Sequence, residues 1–279
     1  MKLLRYGPKG REQPGLLDGD GEIRDLSGFL PDIAGASLLP ETIARLRALD
    51  PARLAKVGGT PRLGACVAGV GKIICVGLNY RDHAAESKMP VPKEPVIFLK
   101  ATSAISGPND DIEIPRGSGK TDWEVEIGVV IGKPGKYIAP ANAFEHVAGF
   151  CIVNDVSERS YQLERGGQWD KGKGCDSFAP LGPWLVTSED VADPQSLDLW
   201  LEVDGRRYQS ANARDMIFGM AHLIAYISEF MSLQSGDLIA TGTPPGVGLG
   251  QIPPVYLRAG QVVRLGVTGL GIQEQRAVG

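Results

Sequence analysis

The segment from residue 122 to residue 131 reads DWEVEIGVVI, and it constrains the fold more than any other part of the chain. Its first half alternates strictly, so in a β-strand Asp122, Glu124 and Glu126 share one face while the apolar side chains share the other. Its second half is apolar on both faces, which is typical of a strand buried inside a covered sheet. We therefore predict a strand that is acidic on one face in its first half and buried inside a sheet in its second half.

Short strand patterns recur along the rest of the chain. The predicted strands are residues 2–6, 21–26, 72–78, 96–99, 123–131, 148–153, 197–203, 237–241 and 262–267. The 37 glycines and 20 prolines among 279 residues require frequent turns. Only residues 40–50 and 217–233 have the apolar spacing of longer helices. We predict an α+β protein, mostly β, with a small N-terminal α/β domain (1–68) and a strand-dense second domain (69–279).

Charge and composition exclude several classes of protein. The 29 basic and 33 acidic residues nearly balance, which argues against a dedicated nucleic-acid binder. The apolar runs are too short to span a bilayer, so no membrane association is expected. The four cysteines contain no CxxC pair, which argues against a thiolate zinc site. The free thiols, and an N-terminus without the apolar core of a signal peptide, predict a cytoplasmic location.

The acidic face of the 122–131 strand predicts a metal site. Like charges on neighbouring positions repel each other, and a cation relieves that repulsion. Asp155 follows the apolar run that ends at Asn154, and it supplies a third carboxylate beside Glu124 and Glu126. Oxygen ligands suit Mg²⁺, Mn²⁺ or Ca²⁺, and three of them leave positions for water or substrate. The alternatives are a solvated acidic strand face and, for Asp155, the N-cap of a helix over residues 156–164.

Five segments in series resemble the fumarylacetoacetate hydrolase family, and the match runs in order from about residue 72 to the end of the chain. They are VGLNYRDHAAE at 76–86, EPVIFLK at 94–100, DWEVEIG at 122–128, NDVSER at 154–159 and ATGTP at 240–244. The resemblance implies a mostly β catalytic domain with a rolled mixed sheet. It also implies a divalent ion held by Glu124, Glu126 and Asp155, a homodimer, and chemistry on 2-oxo or 2,4-dioxo acids.

His83 and Glu86 stand at positions i and i+3, which places them on one side of a helical turn. The carboxylate can therefore orient the imidazole, as a second group orients a general base. The alternative is a solvated, alanine-rich turn. The resemblance implies that both residues lie on a mobile lid and activate a water molecule.

Four further residues are candidates for contact with the substrate. Arg159 and Gln162 lie four and seven residues after Asp155, so a helix starting there would place both on one side. The alternative is a polar helix surface. Lys173, rather than Lys171, best matches the family lysine that neutralises a developing enolate, although both lie in a glycine-rich loop. The Thr243 hydroxyl and neighbouring backbone N–H groups are candidates for binding a substrate carboxylate.

These expectations predict a hydrolase that cleaves the C3–C4 bond of a 2,4-dioxo acid to pyruvate and a carboxylic acid. The N-terminal segment and the chain length are similar to bacterial members that act on 2,4-dioxo-3-deoxy sugar acids, such as 2,4-didehydro-3-deoxy-L-rhamnonate or fuconate. The same metal site also suits ureidoglycolate lyase, 2-hydroxyhepta-2,4-diene-1,7-dioate isomerase or oxaloacetate decarboxylase activity. A different class, a non-catalytic binding protein stabilised by its metal, is a further alternative.

Overall fold

The computed structural model describes residues 1–279, which form 17 strands and five α-helices. The strands are β1 (Lys2–Tyr6), β2 (Gln13–Leu17), β3 (Ile23–Asp25), β4 (Ile73–Gly77), β5 (Val96–Lys100), β6 (Ile105–Ser106), β7 (Ile112–Glu113), β8 (Thr121–Asp122), β9 (Val125–Ile131), β10 (Val147–Asn154), β11 (Ser157–Glu158), β12 (Ala179–Thr187), β13 (Asp198–Val203), β14 (Arg206–Asn212), β15 (Leu238–Ala240), β16 (Val262–Val267) and β17 (Gly271–Val278). The helices are α1 (Pro40–Arg47), α2 (Arg81–Glu86), α3 (Arg159–Leu163), α4 (Asp170–Lys173) and α5 (Met220–Phe230).

Two large sheets build the fold. The larger has the order β3-β2-β1-β12-β10-β9-β15-β4-β5, with β6 beside β12. It is mixed, because β15 runs parallel to β4 whereas β9 and β10 are antiparallel. The second sheet has the order β14-β13-β16-β17-β7, and β11 and β8 form a separate pair. The prediction of a mostly β fold with a mixed sheet is therefore confirmed. No helix is both long and apolar enough to cross a membrane.

The centre of the larger sheet is the most buried part of the molecule. Every residue of β9 and β10 is buried. Because the two strands are antiparallel, the start of β9 lies beside the end of β10, with Glu126 opposite Val153. The pairing continues past the strand ends, where the Asp155 N–H donates to the Glu124 carbonyl over 2.9 Å. This register brings the acidic residues near the start of β9, Glu124 and Glu126, next to Asp155, which follows β10.

The first 68 residues do not form a sheet of their own. Their strands extend the larger sheet, because β1 pairs with β12 through Leu3 and Leu185. Their apolar side chains belong to the same core as β9 and β10. The larger sheet and the core thus both continue across residue 68, and the division into two domains there stays a prediction.

Eight strands lie where none was predicted, and β12, β14 and β17 are the longest of them. Strand β12 contains two prolines and a glycine, and β14 is largely polar, so neither shows a strand pattern of the usual kind. Strand β17 alternates buried and exposed positions, but its inward side chains include Gln273 and Gln275. These glutamines hydrogen-bond to backbone carbonyls of neighbouring segments, which lets polar side chains take core positions.

Candidate active site and metal centre

Three carboxylates meet at the junction of β9 and β10. Ligand oxygens of Glu124, Glu126 and Asp155 all lie within 4.8 Å of one another, and the three residues are 4%, 1% and 1% exposed. A buried group of this kind fits a hard divalent cation, which prefers carboxylate oxygens. Asp155 does not cap a helix, because α3 begins four residues later and the Glu158 carboxylate accepts from the Ser160 N–H.

Asp122 is not part of this group, although the alternation placed it on the same face. The chain leaves the strand conformation between β8 and β9, so the period of two is broken at that point. Both Asp122 oxygens accept hydrogen bonds elsewhere, from the Gly248 N–H over 2.6 Å and from Arg159 Nε over 2.8 Å. Glu124 and Glu126 therefore meet as the alternation predicts, whereas Asp122 is linked to Glu124 only through Arg159.

Two buried lysines border the carboxylates. Lys173 Nζ lies 2.7 Å from Glu124 Oε2 and 2.8 Å from Asp155 Oδ2. Lys100 Nζ lies 2.6 Å from Asp155 Oδ1 and also donates to the Val156 carbonyl. Lys100 was not predicted as a site residue, although a lysine that ends an apolar strand such as β5 is a signal for a buried partner.

Helix α4 decides between the two candidate lysines. The segment predicted as a loop forms this short helix, which turns Lys173 inward and leaves Lys171 outside. Lys173 is 2% exposed, whereas Lys171 Nζ donates to the Arg165 carbonyl at an exposed position. Of the two lysines, Lys173 therefore faces the carboxylates.

The charges around the carboxylates are unevenly compensated. Burial raises the pKa of Glu124, but Lys173 and Arg159 outweigh it and hold that pKa below its usual range. Burial, Asp155 and Glu124 together raise the pKa of Glu126 well above its usual value. Burial lowers the pKa of Lys173, but Asp155 and Glu124 overcome it and raise that pKa to about 12. Negative charge is least compensated at Glu126, which is where a bound cation would relieve it.

Arg159 and Gln162 lie on one side of α3, as predicted, and both are buried. Arg159 Nη2 is 2.6 Å from Glu124 Oε1, and its Nη1 donates to Gln162 Oε1 over 3.0 Å. The third guanidinium nitrogen, Nε, donates to Asp122. The amide nitrogen of Gln162 keeps its two donors free, because only its oxygen is engaged.

His83 and Glu86 occupy the first and last turns of α2, and His83 Nδ1 lies 3.4 Å from Glu86 Oε2. The Gly246 N–H holds the Glu86 carboxylate over 3.0 Å and 3.1 Å. His83 lines a cavity of about 110 Å³ together with five other predicted site residues, Glu124, Arg159, Gln162, Lys173 and Thr243. A larger cavity of about 520 Å³ lies between residues 114–119 and 254–259, but no acid, histidine or lysine lines it.

Thr243 reaches the cavity with its hydroxyl already engaged. Its Oγ1 donates to the Val125 carbonyl over 3.0 Å and accepts from Gln209 Nε2 over 2.8 Å. Its backbone N–H makes no hydrogen bond within the chain. The backbone N–H is therefore the donor that Thr243 offers to a ligand, and the hydroxyl fixes the loop on the sheet.

A glycine-rich loop, residues 242–250, connects the parts of the site. Its backbone N–H groups donate to three acids, from Gly242 to Glu126, from Gly246 to Glu86 and from Gly248 to Asp122. At Gly248, an added Cβ would lie 2.0 Å from the Val255 carbonyl oxygen, so no other residue fits there. These contacts were not predicted, because the spacing of the glycines alone does not say which acids approach them.

Several known proteins are similar to this chain over nearly its whole length. Residues 72–278 match the family model described as fumarylacetoacetate hydrolase, C-terminal. A Burkholderia multivorans protein, provisionally named a hydrolase, is 67% identical over 276 residues, which is 99% of this chain and 98% of that protein. The structure of a fumarylacetoacetate hydrolase from Exiguobacterium antarcticum is 35% identical, has a TM-score of 0.88, and is matched over 100% of this chain and 99% of its own.

Two further solved structures differ in their named activities. A protein described as a probable 2-hydroxyhepta-2,4-diene-1,7-dioate isomerase, from Mycobacterium abscessus, is 35% identical, with a TM-score of 0.83 and coverage of 100% and 98% of the two chains. A maleylpyruvate hydrolase from Sphingobium, in complex with manganese(II) and pyruvate, is 28% identical, with a TM-score of 0.82 and coverage of 100% and 99%. Manganese in that relative and the acidic group here both suggest a divalent metal. The family match over residues 72–278 and the identity to the Burkholderia protein show that this chain belongs to the fumarylacetoacetate hydrolase family of enzymes.

Proposed function

We propose that this enzyme is a divalent-metal-dependent hydrolase that cleaves the C3–C4 bond of a 2,4-dioxo acid to pyruvate and a carboxylic acid. The observation that carries the proposal is that His83, backed by Glu86, lines the same cavity as Glu124 and Lys173. A histidine held by a carboxylate suits the removal of a proton from water. A buried lysine suits the neutralisation of an enolate.

Glu124, Glu126 and Asp155 would hold the metal, and Mg²⁺, Mn²⁺ and Ca²⁺ all suit their oxygens. When bound, the ion supplies Lewis acidity toward the 1-carboxylate and 2-oxo oxygens of the substrate. Mg²⁺ is the proposed physiological ion. The manganese and pyruvate in the Sphingobium relative support a divalent ion and a pyruvate product at such a site.

Five residues of the chain bind the substrate or activate the water molecule. The free amide donors of Gln162 and the unengaged N–H groups of Arg159 face the cavity and hold substrate oxygens. The Thr243 N–H binds the carboxylate end. His83 takes a proton from water, and the resulting hydroxide attacks C4. Glu86 keeps the imidazole in place through the contact at 3.4 Å.

Collapse of the C4 adduct breaks the C3–C4 bond, and the electron pair moves toward C2 as the pyruvate enolate. Lys173 lies beside Glu124 and Asp155 and compensates the new negative charge. The proton taken from water returns to C3. The balance is one water added and two products released, pyruvate and the carboxylic acid that carries the former C4.

Isomerisation of a 2-hydroxydienoate is the second candidate, because the Mycobacterium abscessus relative is described as such an isomerase. That reaction also passes through an enolate, but it moves a proton between carbons and needs no attacking water. The His83–Glu86 pair favours hydrolysis.

The resemblance also supports a homodimer, which we propose. Sedimentation equilibrium would then report twice the mass of the chain.

Release of pyruvate tests the proposed activity. The purified protein is incubated with acetylpyruvate and with a 2,4-dioxo-3-deoxy sugar acid, with Mg²⁺ or Mn²⁺ present and again after chelation. We expect pyruvate from at least one substrate, and its loss on chelation with recovery on metal addition. No pyruvate from either, in a protein that binds metal and converts a hydroxydienedioate, would assign the isomerase activity instead.

Gly250→Ala is expected to lower kcat by about 10- to 100-fold without unfolding the protein. An added Cβ at Gly250 would lie 2.2 Å from Cδ of Glu86, so that flexible side chain must move away. His83 then loses its orienting partner, while Glu124 and Asp155 stay in place. The measurement is kcat together with the metal-induced rise in Tm.

The matched control for this prediction is Gly58→Ala, since an added Cβ at Gly58 meets nothing within 4 Å. It should leave both kcat and Tm unchanged. If Gly250→Ala kept full activity, Glu86 would have no part in positioning His83.

A further inference from the structure

The cavity that contains His83 is polar at its buried end, the floor, and apolar at its exposed end, the mouth. Six buried polar residues line it, Glu124, Arg159, Gln162, Lys173, Thr243 and His83, and they are between 2% and 7% exposed. Two of its apolar residues, Met89 and Leu163, are 44% and 47% exposed. The charged groups therefore lie deep, and the way in from solvent passes apolar side chains.

The apolar wall is preformed and begins directly beside the charged floor. Lys173 Nζ lies 5.1 Å from the centre of the Phe98 ring. Phe98 packs edge-on against Trp169, with ring centres 5.3 Å apart. Gly77 allows Trp169 to come this close, because an added Cβ there would lie 2.6 Å from the indole ring. A substrate anchored beside Lys173 thus meets aromatic surface as soon as it leaves the polar floor.

The outer part of the cavity offers few hydrogen-bonding groups. Apart from the six buried polar residues, the side chains that line it are apolar except for Ser87 and the indole N–H of Trp169. A polyhydroxylated chain would lose water there without finding equivalent partners, which is unfavourable. An alkyl or aryl group would instead bury apolar surface, which is favourable.

We infer that the acyl end of the substrate is an unhydroxylated alkyl or aryl group, so that the enzyme acts on acylpyruvates in preference to 2,4-dioxo-3-deoxy sugar acids. This inference rests on the proposed hydrolysis and names the substrate class of the same site. It departs from the sugar-acid substrate expected from the sequence, because the resemblance of chain length and N-terminal segment does not describe the cavity wall.

The first test compares kcat/KM for acetylpyruvate, butanoylpyruvate, hexanoylpyruvate and a 2,4-dioxo-3-deoxy sugar acid, with Mg²⁺ present. We expect kcat/KM to rise by about three- to tenfold for each added methylene until the alkyl chain fills the mouth of the cavity. The sugar acid should be at least about tenfold worse than hexanoylpyruvate. A sugar acid that equals or exceeds every acylpyruvate would overturn the inference while leaving C–C hydrolysis intact.

A variant tests whether the mouth sets this preference. Leu163→Ser should lower kcat/KM for hexanoylpyruvate by about tenfold and for acetylpyruvate by less than about threefold. The control is Ile272→Ser, since Ile272 is similarly exposed at 43% but lies outside the cavity. It should leave the ratio of the two substrates unchanged. An equal loss on both substrates in Leu163→Ser would contradict the inference.

A binding measurement separates the failure of this inference from failure of the proposed function. Unreactive 2-oxo acids, from 2-oxobutanoate to 2-oxooctanoate, are compared with 2-oxo-3-deoxygluconate by their dissociation constants and by the rise in Tm. Affinity should increase with alkyl length and be weakest for the sugar acid. If no pyruvate is released but affinity still increases with alkyl length, only the proposed hydrolysis is refuted. If the sugar acid binds most tightly, the apolar acyl site is refuted.

Discussion

Glu124→Ala is expected to remove metal affinity and turnover together, with kcat/KM for pyruvate release reduced by at least about 1,000-fold. Glu124 is one of the three carboxylates proposed to hold the metal, and its two oxygens also accept hydrogen bonds from Lys173 and Arg159. Loss of the carboxylate removes a proposed ligand and leaves Lys173 paired only with Asp155 and Arg159 only with Asp122. Binding of Mn²⁺ by calorimetry and pyruvate release together measure the effect.

Two further variants make the result for Glu124 interpretable. Glu124→Gln keeps the shape of the side chain, so it separates loss of charge from loss of packing, and it should also bind no metal. Glu145→Ala removes an exposed acid whose nearest cation, Lys133, is 3.9 Å away, and it should have no effect. A Glu124→Ala protein that folds and still releases pyruvate at the normal rate would refute the assignment of the metal centre.

His83→Ala is expected to lower kcat by about 100- to 10,000-fold while the protein still binds metal. The imidazole lines the cavity, but it lies on α2 and is not one of the three groups proposed to hold the metal. Removing it should therefore abolish proton removal from water and leave the charged floor intact. The measurements are kcat, the dissociation constant for Mn²⁺, and Tm with and without metal.

His222→Ala is the control for this variant, since His222 lies on α5, stacks with Phe218 and does not line the cavity. It should keep normal kcat. Glu86→Gln should lower kcat by a smaller factor than His83→Ala, because it weakens the orientation of the imidazole without removing it. If His83→Ala kept more than a tenth of the normal kcat, another group would have to activate the water.

Much of the three-carboxylate group was predictable from local pattern. Alternation put Glu124 and Glu126 on one face, and the end of an apolar run marked Asp155. The i, i+3 spacing likewise paired His83 with Glu86, and the structure places them 3.4 Å apart. These features depend on the period of a strand or of a helical turn, which the chain carries within a few residues.

Other features of the site depend on residues far apart in the chain. The alternation included Asp122, but the break between β8 and β9 turns it toward Arg159. Lys100 was overlooked because its partner, Asp155, lies 55 residues later. The Thr243 hydroxyl proved to be engaged by Val125, on a strand more than 100 residues earlier. The local sequence does not say which residues form these pairs.

The sequence by itself therefore determined the family, the strand that carries Glu124 and Glu126, and the residue types that meet at the site. Only the tertiary structure decided that Lys173 faces the carboxylates, that β1 joins the main sheet, and that the mouth of the cavity is apolar. The physical reason is that periodicity fixes which way a side chain points within one element. Strand register and the approach of separate loops fix which side chains meet, and these are set by packing across the whole chain.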